Sequence, residues 1–228
     1  MSKDKFDITT AILIDGGFYK KRAMYYAGEK SPKERADELE NFCHSLLHNK
    51  SEKRRLYRIF YYDCPPISKK VYHPALDKTI DLGKTEQYQW NMDFFDELRN
   101  RRKFAIRLGS LSENTAEYRL KPEIVKKIMR GSMAVSDIKE TDFSFKVEQK
   151  GVDMRIGVDI ISMALKKQVQ QIILVSGDSD FVPAAKQARR EGIDFILAPM
   201  GATIKPDLNE HIDGLLNISL VKKVYTTV

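Results

Sequence analysis

Short apolar runs alternate with segments of helical period along this chain. The runs are rich in β-branched and aromatic residues, and aspartate, glycine or proline follows most of them, as is typical of buried strands. We predict strands over residues 9–14, 55–62, 103–111, 142–148, 172–175 and 193–197. Apolar residues between these strands recur every three or four positions, and we predict helices over residues 18–26, 32–49, 88–102, 122–129, 152–167 and 180–191.

Strands that alternate with helices indicate βαβ units, in which a parallel sheet lies between layers of helices. The predicted fold is therefore α/β, with three layers and a mostly parallel central sheet that has helices on both faces. A length of 228 residues suits one such domain with insertions. We predict a single domain over residues 1–228. Its insertions are a polar, irregular stretch at 67–87 and a charged stretch at 112–140.

Acidic residues follow several of the predicted strands. Asp15 comes directly after the first strand, and Asp178 and Asp180 follow the strand at 172–175. Asp153 begins the helix that comes after the strand at 142–148. Because parallel strands bring their carboxyl ends to one edge of a sheet, we expect these four side chains to lie close together.

Clustered carboxylates raise one another's pKa, and a bound cation relieves that repulsion. Oxygen ligands favour hard divalent cations, Mg²⁺ or Mn²⁺, whereas a set without cysteine or a well-placed histidine argues against zinc. Such sites hydrolyse phosphodiesters or transfer phosphoryl groups. Three of these acids also have an ordinary structural interpretation, since Asp153 and Asp180 could cap helices and Asp15 could be a turn residue.

The composition and net charge of the chain favour a polyanionic partner. The chain carries 39 Lys and Arg against 32 Asp and Glu, a formal charge of +7, which favours nucleic acid without proving it. Basic side chains close to the acids in sequence are candidate phosphate contacts. They are Lys20, Lys21, Lys150 and Arg155. Phe18, Tyr19 or the aromatic residues at 57–62 could stack on unpaired bases, although ordinary core or rim packing is the better explanation for each of them.

The cysteines and the lack of long apolar runs indicate the cellular compartment. The two cysteines, Cys43 and Cys64, form no CxxC motif, so we expect a reducing compartment and neither a disulfide framework nor a cysteine metal site. No run approaches the ~18 apolar residues of a membrane span, and the N-terminus has no apolar signal region. These features predict a cytoplasmic protein, and they leave a homo-oligomer open.

Three motifs make the chain similar to a known family. They are IDG at 14–16, KGVD at 150–153 and SGDSDF at 176–181. Together they resemble the NYN domain family, in the LabA-like branch of the PIN-like nucleases, and YYDCPP at 61–66 is similar to a segment common in that branch. The resemblance implies a PIN-like, Rossmannoid fold and a metal-dependent ribonuclease. Its metal site would be formed by Asp15, Asp153, Asp178 and Asp180.

One position departs from that family. Many members carry Asn three residues after the first aspartate, where this chain has Phe18. An inactive or weakly active RNA-binding or scaffold protein of the same family is therefore the main alternative. A phosphatase with a nucleophilic aspartate needs a second acid where Gly17 stands, and a dinucleotide enzyme needs a G-x-G-x-x-G motif that does not follow the first strand.

Asp159 is the last acid considered in this region. It lies six residues after Asp153, which on a helix is about 120° away around the axis. We expect it to support the site from outside or to be an ordinary polar-face residue.

Overall fold

The computed structural model describes residues 7–48, 52–218 and 220. The chain divides into two compact units. The first contains residues up to Asp63, residues 93–109 and residues from Gly151 onward. The second contains residues 64–92 and 110–150.

The first unit is built on a six-stranded sheet in which every neighbouring pair is parallel. Its strands are β1 (Asp7–Asp15), β2 (Lys53–Asp63), β5 (Phe104–Leu108), β10 (Gln171–Val175), β11 (Asp194–Leu197) and β12 (Gly214–Leu215). Their order across the sheet is β12–β11–β10–β1–β2–β5. The two central strands, β1 and β10, are continuous apolar runs whose side chains are buried on both faces, as in parallel sheets covered by helices.

Helices connect these strands and cover the sheet. They are α1 (Gly16–Ala27), α2 (Pro32–Leu47), α3 (Glu86–Arg99), α5 (Val152–Leu165), α6 (Val182–Arg190) and α7 (Pro206–Glu210). The chain passes from β1 outward to β2 and β5, and then returns to β10 on the other side of β1. The connections between parallel strands are right-handed crossovers, and the chain turns back across the sheet after β5. Helices α1 to α3 therefore lie on one face of the sheet, and α5 and α6 lie on the other. This arrangement confirms the three-layer α/β prediction.

Local sequence signals explain where several helices begin and end. Ser31 caps α2 in a reciprocal capping box with Glu34, and Pro32 occupies the first helical position. Gly192 follows α6 with a φ of +82°, in the left-handed region that a glycine adopts readily at this place. The predicted end of α2 at residue 49 lies outside the described residues.

The second unit consists of three antiparallel strand pairs and one helix. The pairs join β3 (Lys70–His73) to β4 (Lys78–Asp81), β6 (Ser110–Leu111) to β9 (Gln149–Lys150), and β7 (Glu117–Leu120) to β8 (Phe143–Lys146). The helix is α4 (Pro122–Met129), at the predicted position. Both stretches predicted as insertions lie in this unit, but the description of 67–87 as irregular was wrong, because it contains the β3–β4 hairpin.

Two strand predictions also need correction. The strand predicted at 142–148 is β8, which pairs antiparallel with β7 in the second unit and does not belong to the parallel sheet. The strand predicted at 103–111 is two strands, β5 in the parallel sheet and β6 in the second unit. In the described part of the chain, no helix has the length and apolar character needed to cross a membrane.

Candidate functional site

The strand order places a crevice between β1 and β10. The chain leaves β1 toward one side of the sheet and leaves β10 toward the other, and ligands of open α/β sheets bind outside the carboxyl ends of strands at such a switch point. The two strands run in register, with Ile14 beside Val175. Asp15 is the last residue of β1, and Asp178 comes three residues after the end of β10.

Asp15 links the first strand to the first helix. One of its carboxylate oxygens, Oδ1, accepts a hydrogen bond from the Phe18 N–H at 3.0 Å and thereby caps α1. The other, Oδ2, accepts from the hydroxyl of Ser176 at 3.4 Å. Ser176 is fully buried, and its Oγ also accepts from the Asp178 N–H at 3.2 Å. This serine therefore ties the two aspartate loops together.

Asp178 opens a single 3₁₀ turn, Ser179–Phe181, and its Oδ1 accepts from the Asp180 N–H at 3.1 Å. Asp178 is thus the residue that caps the turn, and the expectation that Asp180 would be the cap was wrong. The next helix, α6, has Phe181 at its N-cap position and no side-chain cap. Both aspartates are exposed to solvent at the edge of the sheet.

Asp153 reaches this edge by a route that differs from the prediction. It is the second residue of α5, whose N-cap is Gly151 in the left-handed conformation, with φ +80°. It does not follow a strand of the parallel sheet, and it is not a helix cap. Helix α5 packs against β1, β2 and the turn Ser179–Phe181, which brings the start of the helix to the aspartates.

Electrostatic coupling joins the four acids. Burial raises the pKa of Asp153, and the charges of Asp178 and Asp180 raise it further. Burial also raises the pKa of Asp15; the Phe18 N–H opposes this shift, while the charges of Asp153 and Asp63 add to it. The structure therefore brings together all four aspartates that the sequence singled out.

A fifth carboxylate lies beside them. Asp63 ends β2, is only 3% exposed, accepts a hydrogen bond from the Tyr61 hydroxyl at 3.1 Å and forms a 2.8 Å ion pair with Lys20. Sequence reasoning assigned it no role, although the rule that selected Asp15, an acid at the end of a strand, selects Asp63 equally well. Ser176 was also missed, although it directly follows β10 and is the first residue of the SGDSDF motif.

Asp159 does not join the cluster. Its Oδ2 accepts from the Tyr62 hydroxyl at 2.8 Å and from Arg107 Nε at 3.3 Å, so it fixes α5 to the outer strands β2 and β5. Because its partners lie on these strands, Asp159 has a packing role, in line with its predicted separation from Asp153.

The four candidate cationic contacts differ in their surroundings. Lys20 is half-buried and paired with Asp63, whereas Lys21 and Arg155 are exposed and have no ion-pair partner within the described ranges. Lys150 lies in the second unit, exposed, with Glu148 at 3.7 Å. The aromatic prediction needs correction, because Tyr19 is fully buried and so are Tyr61 and Tyr62.

The donor set at the sheet edge suits a hard cation in its chemistry. Its donors are carboxylate and hydroxyl oxygens, and the acids raise one another's pKa, a repulsion that a cation would relieve. Among the described residues, however, no group of three or more His, Cys, Asp or Glu side chains is arranged to hold a metal ion.

Comparison with family models gives a match over most of the chain. Residues 10–215 match the model of the NYN domain. The chain is also similar to the crystal structure of a protein of unknown function from Vibrio parahaemolyticus, at 16% identity and a TM-score of 0.47, with 95% of each chain covered. No curated protein matches the sequence. The family match spans nearly the whole chain, which therefore belongs to the NYN domain family and has its nuclease-like fold.

Proposed function

We propose that this protein is a metal-dependent ribonuclease of the LabA-like branch, which hydrolyses RNA phosphodiester bonds at the edge formed by Asp15, Asp153, Asp178 and Asp180. The observation that carries this proposal is the hydrogen-bonded link from Asp15 through Ser176 to the Asp178 loop at the switch point of the sheet. It holds carboxylates from two adjacent strand ends together without neutralising either of them.

In this proposal, Asp15 and Asp178 are the first ligands of Mg²⁺ or Mn²⁺. The ion would neutralise charge on the phosphate oxygens and lower the pKa of an attacking water. Ser176 and the Phe18 N–H fix the two Asp15 oxygens, so that this carboxylate keeps one orientation. Asp153 and Asp180 complete the acidic edge, and either of them orients the attacking water.

RNA is the proposed substrate because of the family and the basic balance of the chain. Lys21 and Arg155 lie in elements that begin at the acidic edge and have side chains open to solvent. Lys20 and Lys150 are the further proposed phosphate contacts. Such contacts are largely independent of sequence and weaken as salt rises.

The test is cleavage of single-stranded and structured RNA by purified protein in Mg²⁺, in Mn²⁺ and in chelator, with Asp178→Asn beside the wild type. Asparagine keeps the cap on the Asp180 N–H and removes the charge. We expect a rate loss of at least about 100-fold in the variant, a magnitude typical when one preorganised catalytic group is removed. Cleavage that is equal in the two proteins, or that persists in chelator, would contradict the proposal.

Phe18 supports a second candidate, an NYN protein that binds RNA with little or no hydrolysis. Its ring packs on Gly177, where a Cβ would lie 3.0 Å from the ring, next to Asp178. An apolar ring thus stands where many relatives have an amide. Binding of RNA without cleavage in either metal would favour this candidate, and a gain of cleavage in Phe18→Asn would show that the ring is what limits the site.

A further inference from the structure

Helix α1 presents an exposed aromatic ring on the face that also carries Lys21. Tyr25 is 76% exposed, more than any other aromatic residue that the structure describes. Lys21 precedes it by four residues, so the two side chains are neighbours on the helix surface. The helix begins at Asp15, and Tyr25 lies about 15 Å from it along the axis.

The ring is held in place from one side. The guanidinium of Arg22 lies 5.4 Å from the centroid of the Tyr25 ring and 4.8 Å from that of Tyr26. The two tyrosine rings meet edge to face, with centroids 5.0 Å apart. We call Arg22, Tyr25 and Tyr26 the aromatic platform. Since Arg22 covers part of one side of Tyr25 and the residue is largely exposed, the rest of the ring is open to solvent.

Arg22 is itself anchored to the loop that follows β11. Its Nε and Nη2 donate to the carbonyl oxygen of Met200 at 3.1 and 2.9 Å, and Nη2 also donates to the Tyr26 hydroxyl at 2.6 Å. This loop leaves the carboxyl end of β11, so the anchor lies at the same edge of the sheet as the aspartates.

The backbone at the anchor is unusual. Met200 and Gly201 both have positive φ, +49° and +74°, and Met200 is buried. A non-glycine residue in this region is strained and persists only where its surroundings enforce it. A Cβ on Gly201 would collide with the Tyr26 hydroxyl. Met200 thus adopts a costly conformation, and the conformation of this loop leaves room for Tyr26 and holds Arg22.

We propose that the aromatic platform stacks an unpaired base of single-stranded RNA, while Lys21 contacts a neighbouring phosphate. This rests on the proposed function and deepens it, because it makes single-stranded RNA the preferred substrate. An exposed, clamped tyrosine offers its π-face to any base at low entropic cost, and a base already paired and stacked in a duplex cannot reach it.

The test measures binding in the Asp178→Asn background, so that the strand stays intact. Fluorescence polarisation compares a labelled single strand with a duplex of the same sequence. We expect Tyr25→Ala to weaken single-strand binding by about tenfold and Tyr25→Phe by no more than about twofold, with the duplex little changed. Tyr72→Ala is the matched control, since Tyr72 is the other exposed tyrosine among the described residues (53%) and lies in the second unit.

A second arm uses single strands with an abasic residue at each position in turn. At one position, loss of the base should weaken binding as much as Tyr25→Ala does, and it should have no further effect in that variant, because both changes remove the same contact. The base-stacking proposal would be overturned if Tyr25→Ala and its parent bound the single strand with equal affinity, or if the variant lost as much affinity for the duplex as for the single strand. Either result would leave the ribonuclease proposal intact. Absence of RNA binding in the parent would overturn both.

Discussion

Asp15 combines three tasks in one side chain. It ends a buried strand, caps the helix that follows and contributes charge to the acidic edge. Sequence reasoning treated the turn or cap and the site as competing interpretations, but the structure shows that they are compatible, since one oxygen caps α1 and the other faces Ser176. The same holds for Asp178, which caps a turn and remains exposed.

The raised pKa of Asp15 predicts how its charge affects stability. Burial is the main cause of the shift, with the charges of Asp153 and Asp63 adding to it. A carboxyl whose folded pKa lies above its unfolded value of about 3.8 binds its proton more tightly in the folded protein. Its contribution to stability therefore falls as the pH rises through the interval between the two pKa values.

We accordingly expect Asp15→Asn to raise the melting temperature at pH 7 relative to wild type, and the gain to shrink as the pH falls toward 4. Asparagine can still cap α1 through its amide oxygen, so the variant removes the charge and keeps the hydrogen bond. Thermal unfolding across this pH range measures the effect. Asp15→Ala is the control, because it also loses the cap, worth about 1 kcal/mol. A gain that is the same at both pH values would show that charge is not its cause.

Lys20 and Lys21 are neighbours in the sequence but have different surroundings in the structure. Both are basic and both follow the first aspartate, so sequence reasoning gave them the same role. The structure gives Lys20 a 2.8 Å ion pair with the buried Asp63, whereas Lys21 points to solvent on the face of Tyr25. The difference depends on which face of α1 meets β2, and this becomes visible only once the helix is packed against the sheet.

At the scale of elements, periodicity predicted most of the first unit, although it did not assign its last strand, β12. Continuous apolar runs predicted β1 and β10, and glycine, proline and serine marked the ends of α2 and α6. The failure at β8 has a physical reason. Alternating apolar and polar residues identify a strand but not its partner, and alternation is typical of antiparallel strands with one open face. That distinction could have separated β8 from the buried strands.

The misplacement of β8 also affected the argument for Asp153. Its position in the cluster was predicted correctly for a wrong reason, because the residue arrives on the first turn of α5 and not at the end of a strand. Packing of α5 against β1 and the 179–181 turn brings it there. Such packing depends on tertiary contacts, which a local pattern does not contain.

The junction between β1 and α1 offers an element-scale prediction. A Cβ on Gly16 would lie 2.6 Å from Cζ and from the hydroxyl oxygen of Tyr61, and 2.7 Å from the Tyr62 carbonyl oxygen, and both tyrosines are fully buried. We expect Gly16→Ala to lower the free energy of unfolding by roughly 1–3 kcal/mol, the usual result of overpacking a core. Urea denaturation of the two proteins measures this difference.

Gly157→Ala is the matched control. Gly157 lies inside α5, and its Cβ would only touch Ala184 at 4.0 Å, an ordinary contact. Alanine is favoured over glycine inside helices by roughly 0.5–1 kcal/mol, so this variant should be more stable than wild type. A similar loss in both variants would indicate that the close approach of α1 to β2 is not what requires glycine at position 16.

At the scale of the molecule, the chain divides into two compact units, and both predicted insertions lie in the second. Residues 64–92 and 110–150 pack together and bury a small core of their own, in which His73 lies 4.3 Å from the ring of Tyr118 and 5.2 Å from that of Phe143, centroid to centroid. Neither stretch contains a long apolar run, so composition suggested insertions and gave no sign of a shared core. Their mutual packing joins distant segments, which a window along the sequence does not detect.

Each segment of the second unit contains a stretch whose two flanking residues are hydrogen-bonded to each other. The Leu82 N–H donates to the Lys69 carbonyl at 3.1 Å, and the Ser112 N–H donates to the Glu148 carbonyl at 2.9 Å. Short Gly-Ser turns can therefore replace residues 70–81 and 113–147 without stretching the chain. If the first unit folds on its own sheet and helices, the protein without both segments should still fold cooperatively.

We expect each single deletion to give a less well-packed protein than the double deletion. Removing 113–147 leaves Val71 and His73 without the segment that carries Tyr118 and Phe143, and removing 70–81 exposes those rings in turn. Each single variant should bind a hydrophobic dye and melt broadly, whereas the double variant removes both halves of this core and should do neither. Thermal unfolding and dye fluorescence distinguish these outcomes. A double variant that binds more dye than either single one would mean that the first unit needs the second in order to fold.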